Sequence, residues 1–308
     1  MIADRTAEGS LSLLTAVILL CLAGAAEEIC LLWGHAGIGI LIVAPAVIAC
    51  YILWRPRGLT LAVLLGLFSI QALVPLHTGG GRVEDWLLHY EISRHYAGLS
   101  SPVTPTFLAS RTALFHQLLG SILVHQPAYW AYQMGAATLN GLWLWPAEIL
   151  LQRLGRAPER TLALALTPLM IAYATYTWPW CFAAFFLLTA LLFTNRPGVL
   201  SSAGVGVALA GALLAHPGSI GYVLGAGLWV AVCRPRRVPV AFAAGTALMI
   251  TQLPWLLSIT RGGGILSVLG STDTIRQRVS PAVWAVTRLL VAVHTIVPFD
   301  PLVPQAPA

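Results

Sequence analysis

Ten apolar stretches, near 11–30, 34–54, 58–76, 128–151, 161–176, 179–194, 199–215, 218–233, 238–258 and 282–298, follow one another with short polar gaps between most of them. Several are shorter than the roughly 20 residues an α-helix needs to cross a bilayer, yet together they carry more apolar surface than one soluble core can hide. Composition agrees: 58% of the 308 residues are hydrophobic and 9% are charged. A soluble globular domain carries about 25% charged residues. The expectation is an all-α polytopic integral membrane protein with a bundle of about 9–11 transmembrane helices. Residues 1–308 form a single transmembrane domain in this reading, with no soluble domain, linker or repeat.

All seventeen basic residues are arginine and the net charge is +6. Arg55 and Arg57, then Arg153, Arg156 and Arg160, then Arg196, then Arg234, Arg236 and Arg237 sit in short connections. Placing these inside leaves an outer loop at 77–127 and a second at 259–281. Charge held this way orients a chain; no basic stripe or stacking platform points to nucleic acid. A full span over 111–125 would put the 153–160 arginines on the wrong face. That segment is therefore expected to be a juxtamembrane or re-entrant helix in the outer interface. LLCLAGAAEE has some likeness to a signal-peptidase site, but the tail MIADRTAEGS is a poor n-region, so the first segment is read as a retained helix. Cys21, Cys30, Cys50, Cys181 and Cys233 stand singly in apolar runs, without metal-ligand or redox spacing.

The most hydrophilic long stretch, GGGRVEDWLLHYEISRHYAG (79–98), lies in the first outer loop. Read as a helix over 84–99, with Gly98 as a stop, it puts Asp85, Leu88, Ile92, Tyr96 and Leu99 on one side. Trp86 and Tyr90 fall on the far side, where such rings suit a membrane–water boundary. A carboxylate on a buried face is costly unless it has partners or a task. At a helix N-terminus it is favoured in its ionised form, which suits a general base. The same position also suits an N-terminal cap or an Asp85–His89 pair. Arg82, Arg94, Arg111, Arg261, Arg276 and Arg278 lie on the outer side against the orientation tendency. An outer arginine at headgroup level binds phosphate, of bulk lipid or of a lipid substrate. Arg111 opens the 111–125 helix, where the helix N-terminus adds its own attraction for an anion.

The motifs EDWLLHYE, FLASRTALFHQLL, AATLNGLWLWPAEILL, YATYTWPWCFAAFFLL, LLAHPGSIGY and VAVHTIVP follow in order from about Gly80 to Pro298. This succession resembles bacterial GT-C glycosyltransferases of the protein-O-mannosyltransferase and aminoarabinose-transferase type, the glycosyltransferase family 39-like membrane proteins. The resemblance implies a GT-C-like bundle with juxtamembrane helices in the first outer loop. It also implies transfer of a hexose or pentose, with inversion, from a polyprenyl-phosphate sugar to an acceptor hydroxyl. The setting it implies is the outer face of the bacterial inner membrane. Asp85 takes the place of the general base, with Glu84 its neighbour as fallback. Arg111 takes the place of the donor-phosphate contact, joined by Arg82 and Arg94. His89, His216, Tyr222, Arg276 and Arg278 are further pocket candidates. The polyprenyl groove is expected among helices around 161–194.

Two departures stand out. Relatives show a proline pair after the arginine, where this chain has Thr112 and Ala113, and many carry a lysine where it has Trp180. They keep open a non-catalytic membrane subunit working with a partner, beside a lipid or glycolipid transporter. No cofactor is implied. Glu84, Asp85 and His89 offer a divalent metal three donors, but an interfacial charge cluster explains them as well. Elsewhere, Glu27 and Glu28 are read as solvated at the outer end of the first helix, and Glu148 as snorkelling or paired. Asn140, beside Gly135, Ala136, Ala137 and Gly141, is read as an interhelical hydrogen-bonding residue in a close helix contact.

Overall fold

A computed structural model of the chain describes residues 2–56, 58–73, 83–99, 113–155 and 179–255. These residues form α1 (Ile2–Leu32), α2 (Ile40–Trp54), α3 (Gly58–Leu73), α4 (Val83–Tyr96), α5 (Leu114–Leu123) and α6 (Tyr129–Gly141). The chain continues through α7 (Leu144–Arg153), α8 (Trp180–Thr194), α9 (Val199–Ala215), α10 (Ile220–Cys233) and α11 (Val238–Thr251), with no strand among the described residues. The all-α expectation therefore holds. Among the described residues, two helical segments, Leu11–Leu32 and Ala36–Trp54, are long and apolar enough to cross a membrane, and five shorter apolar helices accompany them.

Local chemistry sets the breaks. Gly34 and Gly98 take left-handed φ values of 74° and 69° at the ends of α1 and α4. At Gly98 the turn closes when Leu99 N–H donates to Arg94 O at 3.0 Å and Gly98 N–H to His95 O at 2.9 Å, the glycine-terminated helix end expected from sequence. The single helix expected over 128–151 is instead two, α6 and α7. Pro146 has no N–H to give Leu142 O, so that carbonyl takes Trp145 N–H at 3.1 Å in a tighter turn.

Small residues bring α8, α9 and α11 together. A Cβ on Gly206 would lie 1.8 Å from Ala241 O, and one on Gly211 would lie 2.4 Å from the Phe186 ring. Such glycines let backbones approach where bilayer lipid would offer no hydrophobic drive. Asn140 and Phe182 join α6 to α8 by the interhelical hydrogen bond expected of Asn140, at 3.0 Å.

The bundle has two chemically different ends, and α8 spans the distance between them, about 22 Å. At its last turn Arg153 donates to Leu192 O at 2.8 Å and Arg237 to Thr194 O at 2.9 Å. Burial and the neighbouring Arg196 bring the Arg153 guanidinium down to about 10, still charged at neutral pH. Three of the arginine-bearing connections thus converge on one end, as the sequence predicts. At the first turn of α8, Phe182 meets Phe115 of α5 and Trp180 lies on His216, with ring centroids 5.9 and 4.0 Å apart.

α5 has ten residues, about 15 Å of helix, and cannot span, as expected. It does not lie on a surface, however. Leu114 to Ser121 and Leu123 are all buried, with α5 wedged against α1, α4 and α6. Gly120 allows this: a Cβ there would lie 2.8 Å from the backbone of Tyr96.

Candidate functional site

The α4 end gathers the polar chemistry. Glu84 and Asp85 occupy the first turn of α4, one turn ahead of His89. His89, Ile92, Ser93 and Tyr96 are buried and Leu88 and Leu99 half-buried, so the expected apolar face is real but is centred nearer His89 and Ser93. Tyr90 is half-buried. Its hydroxyl donates to Pro127 O, and its ring packs on Tyr129 and Tyr132 with centroids 5.3 and 5.5 Å away.

His89 and His116 are 5% and 1% exposed, and Ser93 is 0% exposed. His89 Nδ1 lies 3.2 Å from His116 Nε2, with the rings near parallel at 16°. Ser93 Oγ lies 3.0 Å from His116 Nδ1 and 3.0 Å from His89 O. One helical position further, Gln117 donates to Glu28 Oε2 at 3.1 Å. Burial, with the Glu28 charge nearby, pushes the Tyr96 phenol well above its ordinary range. Glu27 and Glu28 are 0% and 3% exposed, which corrects the solvated reading. Gly39 creates the space, because a Cβ there would lie 1.3 Å from Glu27 Oε2. Neither Glu27 oxygen has a hydrogen-bond partner among the described residues.

The remaining candidates fall in different places. Arg94 donates to Glu91 at 3.0 Å and lies 5.8 Å above the Tyr90 ring, so its charge is engaged within α4. His216 takes Gly218 N–H on Nδ1 at 2.9 Å and caps the Pro217–Ser219 turn. Trp180 supplies the ring over that histidine. Tyr222 is 63% exposed on α10. Arg82, Arg111, Arg276 and Arg278 lie outside the described residues, as does the second outer loop. No group of three His, Cys, Asp or Glu capable of holding a metal occurs among the described residues. Of the expected groove region, residues 161–178 lie outside the described residues; an apolar crevice of about 160 Å³ lies between α2, α5 and α6, lined by residues including Val43, Val47, Leu118, Ile122 and Leu139.

His116, Ser93 and Gln117 were not singled out by sequence reasoning. Their signal was present: a His-Gln pair inside an otherwise apolar ten-residue helix, and a serine four residues after His89 on the same helix face. Compared with protein-family models, curated proteins and solved structures, the chain matches none.

Proposed function

We propose that this chain is a polytopic membrane glycosyltransferase that moves a sugar from a polyprenyl-phosphate donor to an acceptor hydroxyl on the outer face. The observation that carries the reading is a buried His89–Ser93–His116 cluster on α4 and α5, one helical turn along α4 from Glu84 and Asp85 and at the end of the bundle opposite Arg153 and Arg237. A membrane setting is supported by the apolar outer surface. Val232 and Phe242 are 72% and 74% exposed, and of α10 only Val230 is buried. A monomer in water rarely shows apolar patches of more than a few hundred Å², whereas lipid accepts them.

In the proposed reaction Asp85 takes the acceptor proton as the hydroxyl attacks the anomeric carbon, and the lipid phosphate departs with the bonding pair. Arg111 and Arg82 clamp the phosphate charge. The crevice between α2, α5 and α6 offers an apolar bed for part of the polyprenyl tail. The test is sugar transfer in membranes expressing the chain, with labelled polyprenyl-phosphate sugars, wild type beside Asp85→Asn. Loss of transfer with expression and donor binding retained supports the assignment; equal transfer removes Asp85 from it.

One observation favours a second reading. Carboxylates within membrane segments mark ion or substrate pathways, and Glu27 is such a group. A lipid or glycolipid transporter coupled to protons would lose flux in Glu27→Gln and keep it in Asp85→Asn.

A further inference from the structure

The Ser93 hydroxyl has one proton and, among the described residues, two polar neighbours. A carbonyl oxygen only accepts, so the hydroxyl donates to His89 O at 3.0 Å, and toward His116 its oxygen must accept. His116 therefore carries its proton on Nδ1, 3.0 Å from Ser93 Oγ. Neutral His116 then presents a lone pair on Nε2, which takes His89 Nδ1–H at 3.2 Å. The hydrogen bonds run in one direction, from His89 to His116 to Ser93 and back to the backbone of α4. In neutral His89 that direction places the lone pair on Nε2.

We propose that His89, held in this tautomer by His116 and Ser93, receives the proton that Asp85 takes from the acceptor hydroxyl. The inference rests on the glycosyl-transfer reading of the same site. Asp85 and His89 are four residues apart in α4, neighbouring positions on a helix surface. The acceptor O–H bond breaks as its oxygen bonds the anomeric carbon, and the sugar–phosphate bond breaks with its electron pair going to the phosphate. The proton passes to the Asp85 carboxylate and then to His89 Nε2. Protonated His89 keeps the same Nδ1–H bond to His116, now charge-assisted and stronger, so no ring has to turn. Transfer of that proton to water returns His89 to its resting state. His116 and Ser93 are positioning residues.

The test uses the full chain in lipid nanodiscs with ring-15N histidine, His89 and His116 being assigned by His89→Asn and His116→Asn. Expected are Nδ1–H tautomers at both, a shift of the His116 signals in Ser93→Ala, and their return in Ser93→Thr. An Nε2–H tautomer at either histidine overturns the relay. In sugar transfer, Ser93→Ala is expected to lower kcat roughly 10- to 100-fold with KM unchanged, and Ser93→Thr to restore it. Unchanged kcat in Ser93→Ala, with wild type active, overturns the relay and leaves the glycosyltransferase standing. No transfer by any preparation overturns both, and the tautomers then describe a structural clasp between α4 and α5.

Discussion

Asn140 Oδ1 accepts the backbone N–H of Phe182 at 3.0 Å, so a side chain of α6 satisfies a donor in the first turn of α8. The first four N–H groups of any helix lack a partner within it, and α8 has no cap of its own from Pro179. Asn140→Leu leaves that donor buried and unpaired, which costs about 1–3 kcal/mol. A fall in the thermal unfolding midpoint in detergent is expected, with Asn140→Asp retaining more of it because an oxygen acceptor remains.

Gly206 and Gly225 separate packing from helix propensity. A Cβ at Gly206 meets the Ala241 backbone, whereas no atom of the described residues lies within 4 Å of one at Gly225. Gly206→Ala is expected to force α9 and α11 apart and lower the midpoint. Gly225→Ala, free of that clash, is expected to be neutral or to stabilise by up to about 1 kcal/mol. Parallel unfolding of the two variants measures the difference.

Glu148 in α7 is paired, taking Trp54 Nε1–H at 2.8 Å and the Thr60 hydroxyl. It ties α2 and α3 to α7 near the arginine end. Glu148→Leu strands both donors, and a loss of roughly 2–4 kcal/mol is expected from two unmade bonds. Glu148→Gln keeps an acceptor and is expected to lose less than half of that. Both values follow from denaturant unfolding of purified protein.

Orientation is testable with single cysteines in a variant lacking the native five. Leu87 is 44% exposed on α4, and Arg236 is exposed in the turn before α11. A membrane-impermeant maleimide added to intact cells is expected to label Leu87→Cys, and to label Arg236→Cys only after permeabilisation. Labelling of both from one side overturns the proposed topology.

Tyr96 gives the fold a pH dependence. Its phenol is raised above the ordinary value by burial and by Glu28, so the folded chain holds the proton more tightly than the unfolded one. The stabilising contribution is complete below the unfolded pKa of about 10 and is lost as pH rises through the higher folded value. Unfolding followed between pH 9 and 12 is expected to show falling stability, with a shallower fall in Tyr96→Phe.

Several features were legible in the residues alone. Apolar periodicity and the scarcity of charge dictated a helical chain, because only helices satisfy their backbone locally across such runs. Gly98 marked the end of α4, and Asn140 marked a helix contact, since a lone amide among small residues has few other uses. The arginines of the short connections marked one end of the bundle.

Tertiary structure alone decided the rest. Nothing in the sequence distinguishes a solvated Glu27 from one buried against Gly39, because exposure depends on where α2 returns against α1. Pro146 was visible, but its effect, the division of one expected span into α6 and α7, depends on packing that holds the tighter turn. The meeting of His89 with His116 joins residues 27 apart across α4 and α5. Helical periodicity fixes which face a residue occupies within its own helix; which foreign face meets it is set by the packing of the whole bundle.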